Sequence, residues 1–419
     1  MKTLRPTIAL LACIAFAVLG SVLAQDDPPA AEEPSGGPSW ERLQDVLPYL
    51  SSRVPEQRLQ AERLVEAGAE KHFESLVKEL PAQPRRGREV LLRVLANTHH
   101  EGRAQLCLDT LCNRESRRAE RTIASRGLKG AEADKLLGLI ESRLDQPELE
   151  LFQRVECCNL LGTLASARAQ GVAEDVLEHA EPGSLLAFAA EDAVLRSTIA
   201  SQFAQPAWSR YQARRASAPR MTLRELQESL DELALPHAVD RAAAELELAE
   251  ALGKDVRVLL ALARSPWPER ASFALKQIEQ LKGVELELAS QAVMLDLVMT
   301  GEQTVALLAM DVAIAGTPPS DSDMEKLRPV IGVDSEARLE AILEGMGRGT
   351  DLAELRTRNR RLEAQLRPLL LRRGPFDPQV RTLFNELESV RVQLERVEAL
   401  WAGGWRREFE AEILGTRQE

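Results

Sequence analysis

Four of the five cysteines, those that follow the N-terminal apolar segment, and a pair of adjacent histidines are the side chains that could carry out metal or redox chemistry. They are Cys107, Cys112, Cys157, Cys158, His99 and His100. The two histidines lie close before Cys107, but their spacing matches no standard zinc pattern. We therefore predict neither a metal site nor a cofactor.

The cysteines have two interpretations that the sequence leaves open. On a helix, Cys107 and Cys112 lie roughly 7.5 Å apart along the axis and off one face, so they should not bond to each other. A disulfide from one of them to Cys157 or Cys158 on a neighbouring helix pair is one interpretation. The other is that all four are small buried hydrophobic residues.

The sequence contains none of the common catalytic or nucleotide-binding motifs: no HExxH, no GxSxG, no P-loop, no CxxCH and no dinucleotide-binding glycine pattern. Acidic pairs occur on every predicted helix, where they are typical of a solvated face. We predict a protein without enzymatic activity and without catalytic residues.

One segment, Trp208 to Arg220, contains no acidic residue in a chain whose net charge is −12. Two of its arginines are one helical turn apart and could present adjacent guanidinium groups to an acidic partner. Aromatic and arginine side chains are also enriched in interface hot spots. The predicted partner-binding residues are Trp208, Arg210, Tyr211, Arg214 and Arg215. Alternatively, this is a surface helix whose Trp208 packs into the next repeat.

A second basic cluster contains Arg117, Arg118 and Arg121. Glu115 and Glu120 lie beside it, so we expect ordinary pairing within one helix.

The elements that position these residues are predicted to be helices. Aromatic residues make up only 4% of the chain, and helix-forming residues dominate. Between 56 and 80, two short amphipathic helices join at Gly68, and the second has apolar residues at i, i+3, i+4 and i+7. So small a pair cannot bury its own apolar face, which predicts similar pairs stacked beside it.

Similar helix pairs begin near residues 240, 268 and 302, a spacing that is typical of helical repeats. In the first of them an apolar stripe is predicted to face inward. The stripe contains Val239, Ala242, Ala243, Leu246 and Ala249.

Six residues between 58 and 80 match the basic, small, apolar, turn and second-helix positions of HEAT-like repeats. They are Arg58, Ala61, Leu64, Gly68, Leu76 and Leu80. The segment thus resembles the HEAT-like, armadillo-type repeat family. The resemblance implies an all-α fold, an α-solenoid of stacked helix pairs over residues 40–345, and a scaffold that binds proteins along a concave face.

The last part of the chain has a different period. Apolar residues recur in steps of three and four on both sides of Gly374-Pro375-Phe376-Asp377-Pro378. This predicts an antiparallel coiled-coil hairpin over 346–401, paired within one chain, followed by a C-terminal tail at 402–419. Asn359 lies on the apolar seam, where a polar residue typically fixes register. The oligomeric state stays open.

The N-terminus reads as a secretory signal over residues 1–24, followed by an acidic tether rich in Pro and Gly over 25–39, predicted to be disordered. A lipoprotein motif at Cys13 and an uncleaved anchor over Thr7 to Ala24 are the alternatives. Cleavage would remove two positive charges and change the net charge from −12 to −14. Such an excess of acid argues against a nucleic acid partner.

We therefore expect an exported, periplasmic or extracellular scaffold that binds a protein or peptide. The alternative is a membrane-anchored structural spacer of the cell envelope that oligomerises through its coiled coil. A membrane partner is expected only if the N-terminal segment stays uncleaved or carries a lipid.

Overall fold

The computed structural model describes residues 37–415 except 165, 202–203, 216–217, 253–254, 282–287 and 348–351. The predicted signal peptide, and the predicted tether up to residue 36, lie outside the described residues.

Ten helices make up the first half of the chain. They are α1 (Trp40–Val46), α2 (Pro55–Gly68), α3 (Phe73–Glu79), α4 (Arg85–Ala96), α5 (Arg103–Cys112), α6 (Arg118–Leu128), α7 (Ala133–Leu144), α8 (Leu151–Leu161), α9 (Ala167–His179) and α10 (Leu185–Ala200). Short 3-10 turns occupy Leu47–Ser51 and Leu80–Ala82.

Helices continue to the C-terminus. They are α11 (Gln205–Arg214), α12 (Leu223–Glu232), α13 (Ala238–Leu252), α14 (Val256–Ala263), α15 (Pro268–Gln280), α16 (Leu288–Thr300), α17 (Gln303–Ala315), α18 (Asp321–Leu327), α19 (Val333–Met346), α20 (Leu352–Arg373), α21 (Pro378–Trp405) and α22 (Ala411–Ile413). A 3-10 turn spans Arg328–Val330, and a π-helical turn at Arg406–Glu410 joins α21 to α22.

The all-α class is confirmed, since the described residues contain no strand. Consecutive helices pack as pairs, among them α5 with α6, α9 with α10, α14 with α15 and α16 with α17.

Local sequence signals define several helix starts. The Thr222 hydroxyl accepts from the amide of Glu225, and the Glu225 carboxylate accepts from the amide of Thr222, which satisfies donors that a helix end leaves free.

The two halves of the chain also contact each other directly. Helix α6 packs against α16, where Arg118 Nε donates to the Val298 carbonyl at 2.9 Å. The amide of Val333 donates to the carbonyl of Arg114 at 2.9 Å. A stack in which each helix pair touches only its sequence neighbours does not predict these contacts. The chain therefore folds back, and α6 and α16 meet in its interior.

The prediction that the apolar stripe of α13 faces the interior is wrong. Val239 is 81% exposed and Leu246 is 72% exposed, whereas Ala244, Leu248 and Leu252 are buried. The residues that pack lie on a neighbouring face of the same helix, because helix α12 and the rest of the core lie on that side.

The C-terminal hairpin forms between α20 and α21, which pack along each other. Gly374 in the connection has φ +78°, a conformation that favours glycine, and the Asp377 carboxylate caps α21 by accepting from the Gln379 amide.

The predicted division at residue 401 does not match the structure. The helical path continues to residue 413 and packs against α19. The side chains that enter the core from this stretch are Trp401, Trp405, Phe409 and Ile413. The segment from 402 to 413 is thus part of the fold rather than a tail.

Two consecutive glycines in α21 allow a matched test of this packing. A Cβ at Gly404 would lie 2.6 Å from Cγ2 of Ile342, whereas a Cβ at Gly403 would meet no atom within 4 Å. We expect Gly404→Ala to lower the free energy of unfolding by about 1–3 kcal/mol through overpacking. Gly403→Ala should raise it by up to about 1 kcal/mol through helix propensity. Urea denaturation of both variants measures the difference, and equal effects would contradict the close approach of α19 to α21.

Candidate functional site

Trp208 lies in the core rather than on the surface. Its side chain is completely buried, its indole Nε1 donates to the Met221 carbonyl at 3.0 Å, and its ring stacks on Tyr211 with centroids 5.6 Å apart. This corrects the prediction that Trp208 faces a partner. The alternative interpretation, in which Trp208 packs against neighbouring helices, describes the residue.

Tyr211 and Arg215 are also engaged in internal contacts. The Tyr211 hydroxyl lies 2.9 Å from both oxygens of Asp255, a buried carboxylate that also accepts from the amides at the start of α14. Burial, together with this carboxylate, raises the pKa of Tyr211. Arg215 pairs with Glu191 at 2.9 Å and lies 5.6 Å from the centre of the Tyr211 ring.

Arg210 and Arg214 differ from the other three predicted residues. Both are exposed on α11, and neither forms an ion pair with any residue that the structure describes. They remain candidates for contact with an acidic partner. The structure thus divides the predicted cluster into three residues with internal contacts that hold α11 in place and two exposed arginines.

A groove lies elsewhere, beside the loop between α14 and α15. It contains two adjoining cavities of about 750 Å³ and 600 Å³. Both are lined by Thr163, Arg264, Ser265 and Pro266. The larger extends along α10, α12 and α15, and the smaller along α6, α7, α16 and α17.

The edge of this groove carries an exposed tryptophan. Trp267 is 58% exposed and lines the larger cavity. The guanidinium of Arg270 lies 6.0 Å from its ring centre and pairs with Asp231 at 2.5 Å. Trp267, in the turn Ser265-Pro266-Trp267-Pro268, is not among the partner-binding residues predicted from the sequence. A tryptophan between two prolines was a usable signal, because such a turn lies at the surface and leaves little room to bury the ring.

Below the groove lies a network of six charged side chains from distant parts of the chain, five of them buried and one, Asp296, partly buried. Arg121 pairs with Glu156 at 3.0 Å and with Asp296 at 3.3 Å. Arg264 pairs with Asp192 at 3.2 Å and with Asp296 at 3.0 Å. The sixth member, Arg196, has its Nε 2.9 Å from Asp192, although without hydrogen-bond geometry, and its guanidinium donates to the Asn159 carbonyl at 2.8 Å. When Glu156 is ionised, three positive and three negative groups balance each other.

This network corrects the prediction for the second basic cluster. Arg121 pairs across helices rather than within its own helix, and Arg118 donates to the Val298 carbonyl. The carboxylate of Glu120 pairs with Arg88 of α4. Nothing in the local sequence specifies these partners.

Glu156 is the member of the network whose charge depends on pH near neutrality. Burial raises its pKa to about 7, although Arg121 acts in the opposite direction. An ordinary glutamate in the unfolded chain ionises near pH 4.5. The folded protein therefore holds a proton on Glu156 that the unfolded chain has already released. The raised pKa of Glu156 therefore stabilises the folded state in full below about pH 4.5. This stabilisation is lost as the pH rises through about 7.

We expect this loss to be measurable with Glu156→Gln. Between pH 5 and pH 8 the free energy of unfolding of the wild type should fall by roughly 2–3 kcal/mol relative to the variant, because the amide does not titrate. Urea denaturation at pH 5, 6, 7 and 8 tests this. Parallel pH profiles for the two proteins would contradict it.

All four cysteines among the described residues are buried and free. Burial raises the pKa of Cys107 to about 11 and that of Cys158 to about 12, which disfavours the reactive thiolate. Cys112 and Cys157 share a hydrogen bond, which lowers the pKa of Cys112 and raises that of Cys157. These side chains fill the core between α5, α6 and α8.

Of the two histidines before Cys107, His100 is engaged in structural contacts, whereas His99 is exposed. The ring of His100 stacks on Phe73 with centroids 4.1 Å apart, and its Nδ1 accepts from the Gly102 amide at 3.1 Å. Within the described residues, no group of three or more His, Cys, Asp or Glu side chains is arranged to hold a metal ion.

Asn359 lies half-buried on α20. Its Nδ2 donates to Glu363 at 3.2 Å, and its Oδ1 is buried without a hydrogen-bond partner among the described residues. Its role in setting the register of the hairpin stays a prediction.

No family model matches this chain, and no curated protein matches its sequence. Among the helices that the structure describes, none has the length and apolar character needed to cross a bilayer.

Proposed function

We propose that this protein is an exported, non-enzymatic scaffold that binds an extended segment of a protein partner. The observation that carries the proposal is the groove beside Ser265 and Pro266, with Trp267 exposed at its edge. Grooves of several hundred cubic ångströms with a few oriented polar groups are the usual form of a binding site. Tryptophan and arginine, the types found at 267 and 270, are the side chains that most often dominate binding energy.

The ionic groups of the larger cavity support binding rather than chemistry. Arg270 pairs with Asp231, and Arg224 pairs with Glu228 at 2.8 Å. The buried arginines below the groove are neutralised by Asp192 and Asp296. Paired charges can orient the polar groups of a bound peptide without acting as an acid, a base or a nucleophile.

The finer description of the fold, a HEAT-like solenoid, belongs to the same proposal. Sequential pairing of helices supports it, as does the segment that carries the resemblance. There Ala61, Leu76 and Leu80 are buried, and a Cβ at Gly68 would lie 2.7 Å from Leu43. In this proposal the contacts between α6 and α16 close the stack upon itself, and the groove provides the binding face.

Crosslinking in intact cells, followed by purification and identification of captured proteins, tests the function. We expect Trp267→Ala combined with Arg270→Ala to reduce capture of the main partner at least thirtyfold, since each hot-spot residue contributes about 2 kcal/mol or more. Tyr49→Ala is the matched control, because Tyr49 is an exposed aromatic residue that does not line the groove.

Arg210→Ala with Arg214→Ala examines the exposed arginines of α11 in the same way. Equal capture by the wild type and the Trp267/Arg270 variant would contradict the proposed groove. If only the Arg210/Arg214 variant lost the partner, the binding surface would instead lie on α11.

Export is tested separately by determining the N-terminus of the protein isolated from cells. A start at Gln25 would support the exported form. A chain that retains Lys2 and Arg5 would favour the membrane-anchored spacer instead.

A further inference from the structure

The closed end of the C-terminal hairpin, residues 367–384, is opposite in charge to the chain as a whole. We call this segment the hairpin tip. It contains four arginines and one acidic residue, a net charge of +3, in a chain whose net charge is −12. The arginines are Arg367, Arg372, Arg373 and Arg381, and all four are exposed.

The same segment exposes large apolar side chains. Leu371 is 82% exposed and Phe376 is 80% exposed, and Leu370 and Phe384 are exposed beside them. In most of the hairpin, apolar residues such as Leu362, Leu387 and Val390 are buried between the two helices. Leu371 and Phe376 thus extend beyond the seam that the coiled coil needs for its own stability.

Three of the four arginines of the tip have no ionic partner among the described residues. Arg373 pairs with Asp377 at 3.7 Å, but Arg367, Arg372 and Arg381 form no ion pair within the described part of the chain. The guanidinium of Arg381 lies 5.7 Å from the ring centre of Phe376, so charge and apolar surface are adjacent.

The tip also lies far from the body of the protein. At the base of the hairpin, Arg356 donates to Thr317 at 2.8 Å and the indole of Trp401 lies 3.4 Å from the Ala313 carbonyl. From Arg356 to Arg373 the helix rises roughly 25 Å. The hydrogen bonds and ion pairs that the tip forms among described residues all stay within the hairpin.

We propose that the hairpin tip binds the surface of a bilayer that contains anionic lipids. Exposed apolar side chains beside unpaired arginines at the end of a projecting element are suited to this contact. The apolar groups enter the region between headgroups and acyl chains, while guanidinium groups bind lipid phosphates. A second copy of the tip would bring like charges together, which disfavours self-association there. The contact does not require the N-terminal segment, and it goes beyond the scaffold function.

Flotation with vesicles tests the proposal, using the chain from Gln25, which keeps every described residue and removes the apolar N-terminus. We expect binding to phosphatidylcholine vesicles that contain 30 mol% phosphatidylglycerol, and at least tenfold weaker binding to pure phosphatidylcholine. Leu371→Ser with Phe376→Ser should weaken binding at least tenfold. Val239→Ser with Leu246→Ser is the matched control, since these side chains are as exposed but lie on α13.

Arg372→Gln combined with Arg381→Gln tests the charges. This double change should weaken binding roughly thirtyfold, because each arginine near the membrane surface contributes a factor of about ten or less. Arg210→Gln with Arg214→Gln is the control, because these arginines are also exposed and form no ion pair with a described residue, but they lie on α11. Circular dichroism of each variant checks that the helices are intact.

Absence of binding to anionic vesicles would overturn the proposal, as would equal binding by the tip variants and their controls. Capture of an acidic protein through the tip without vesicle binding would also overturn it. None of these results bears on the groove, since the tip variants leave Trp267 and Arg270 unchanged.

Discussion

Arg264→Met should lower the free energy of unfolding by on the order of 3–5 kcal/mol, because it removes one partner from a buried ion network. The Arg264 guanidinium donates to Asn159 Oδ1 at 2.6 Å, and its ion pairs with Asp192 and Asp296 join α10 to α16. Methionine fills a similar volume but leaves Asp296 in a site that water reaches poorly, with Arg121 as its remaining partner. An uncompensated charge in such a site costs several kcal/mol.

Urea denaturation at pH 7 measures this effect. Arg224→Met is the control, because Arg224 forms an exposed pair with Glu228 one helical turn away, and such pairs contribute about 0–1 kcal/mol. Adding Asp296→Asn to Arg264→Met should cost less than the sum of the two single changes, since it removes the excess negative charge that Arg264→Met leaves in the network. If Arg264→Met were as stable as Arg224→Met, the network would not hold the two halves of the chain together.

Trp208→Ala should lower the free energy of unfolding by about 3–5 kcal/mol, the usual cost of removing a large aromatic side chain from a core. Its ring fills the space between α11 and the helices around it, and its indole satisfies the Met221 carbonyl. Trp208→Phe should recover most of this stability, losing one hydrogen bond worth about 1 kcal/mol and part of the packing.

Trp267→Ala is the matched control for Trp208→Ala. Trp267 is more than half exposed, so its removal should change the free energy of unfolding by less than about 1 kcal/mol. Partner capture, in contrast, should depend on Trp267. A Trp208→Ala variant with wild-type stability and lost capture would restore the original interpretation of Trp208 as a binding residue.

Helix content and the hairpin could be predicted from the sequence, because both depend on local patterns. Apolar residues at i, i+3, i+4 and i+7 define a helix wherever they occur, as at Phe73 to Leu80. Gly374 and Asp377 encode the turn and the helix cap through their own backbone preferences. The hairpin was predicted over 346–401, whereas α21 continues through the glycines at 403 and 404 to Trp405. Tertiary packing against Ile342 keeps that stretch helical.

The candidate site was harder to predict, because exposure depends on neighbours that are distant in the sequence. Trp208 and Trp267 both lie in segments rich in arginine or proline, and composition alone favoured Trp208. Only the position of the surrounding helices decides that Trp208 is completely buried and that Trp267 stands at the edge of a groove.

The sequence by itself determined that this protein is helical, that consecutive helices pair, and that its C-terminal part forms a hairpin. The tertiary structure alone decided which face of α13 packs and which charges meet. Arg121 and Asp296 are 175 positions apart, and their pairing follows from the contact of α6 with α16. The periodicity of a helix in the sequence indicates that one of its faces is apolar or charged. Which other helix packs against that face depends on the packing of the whole chain.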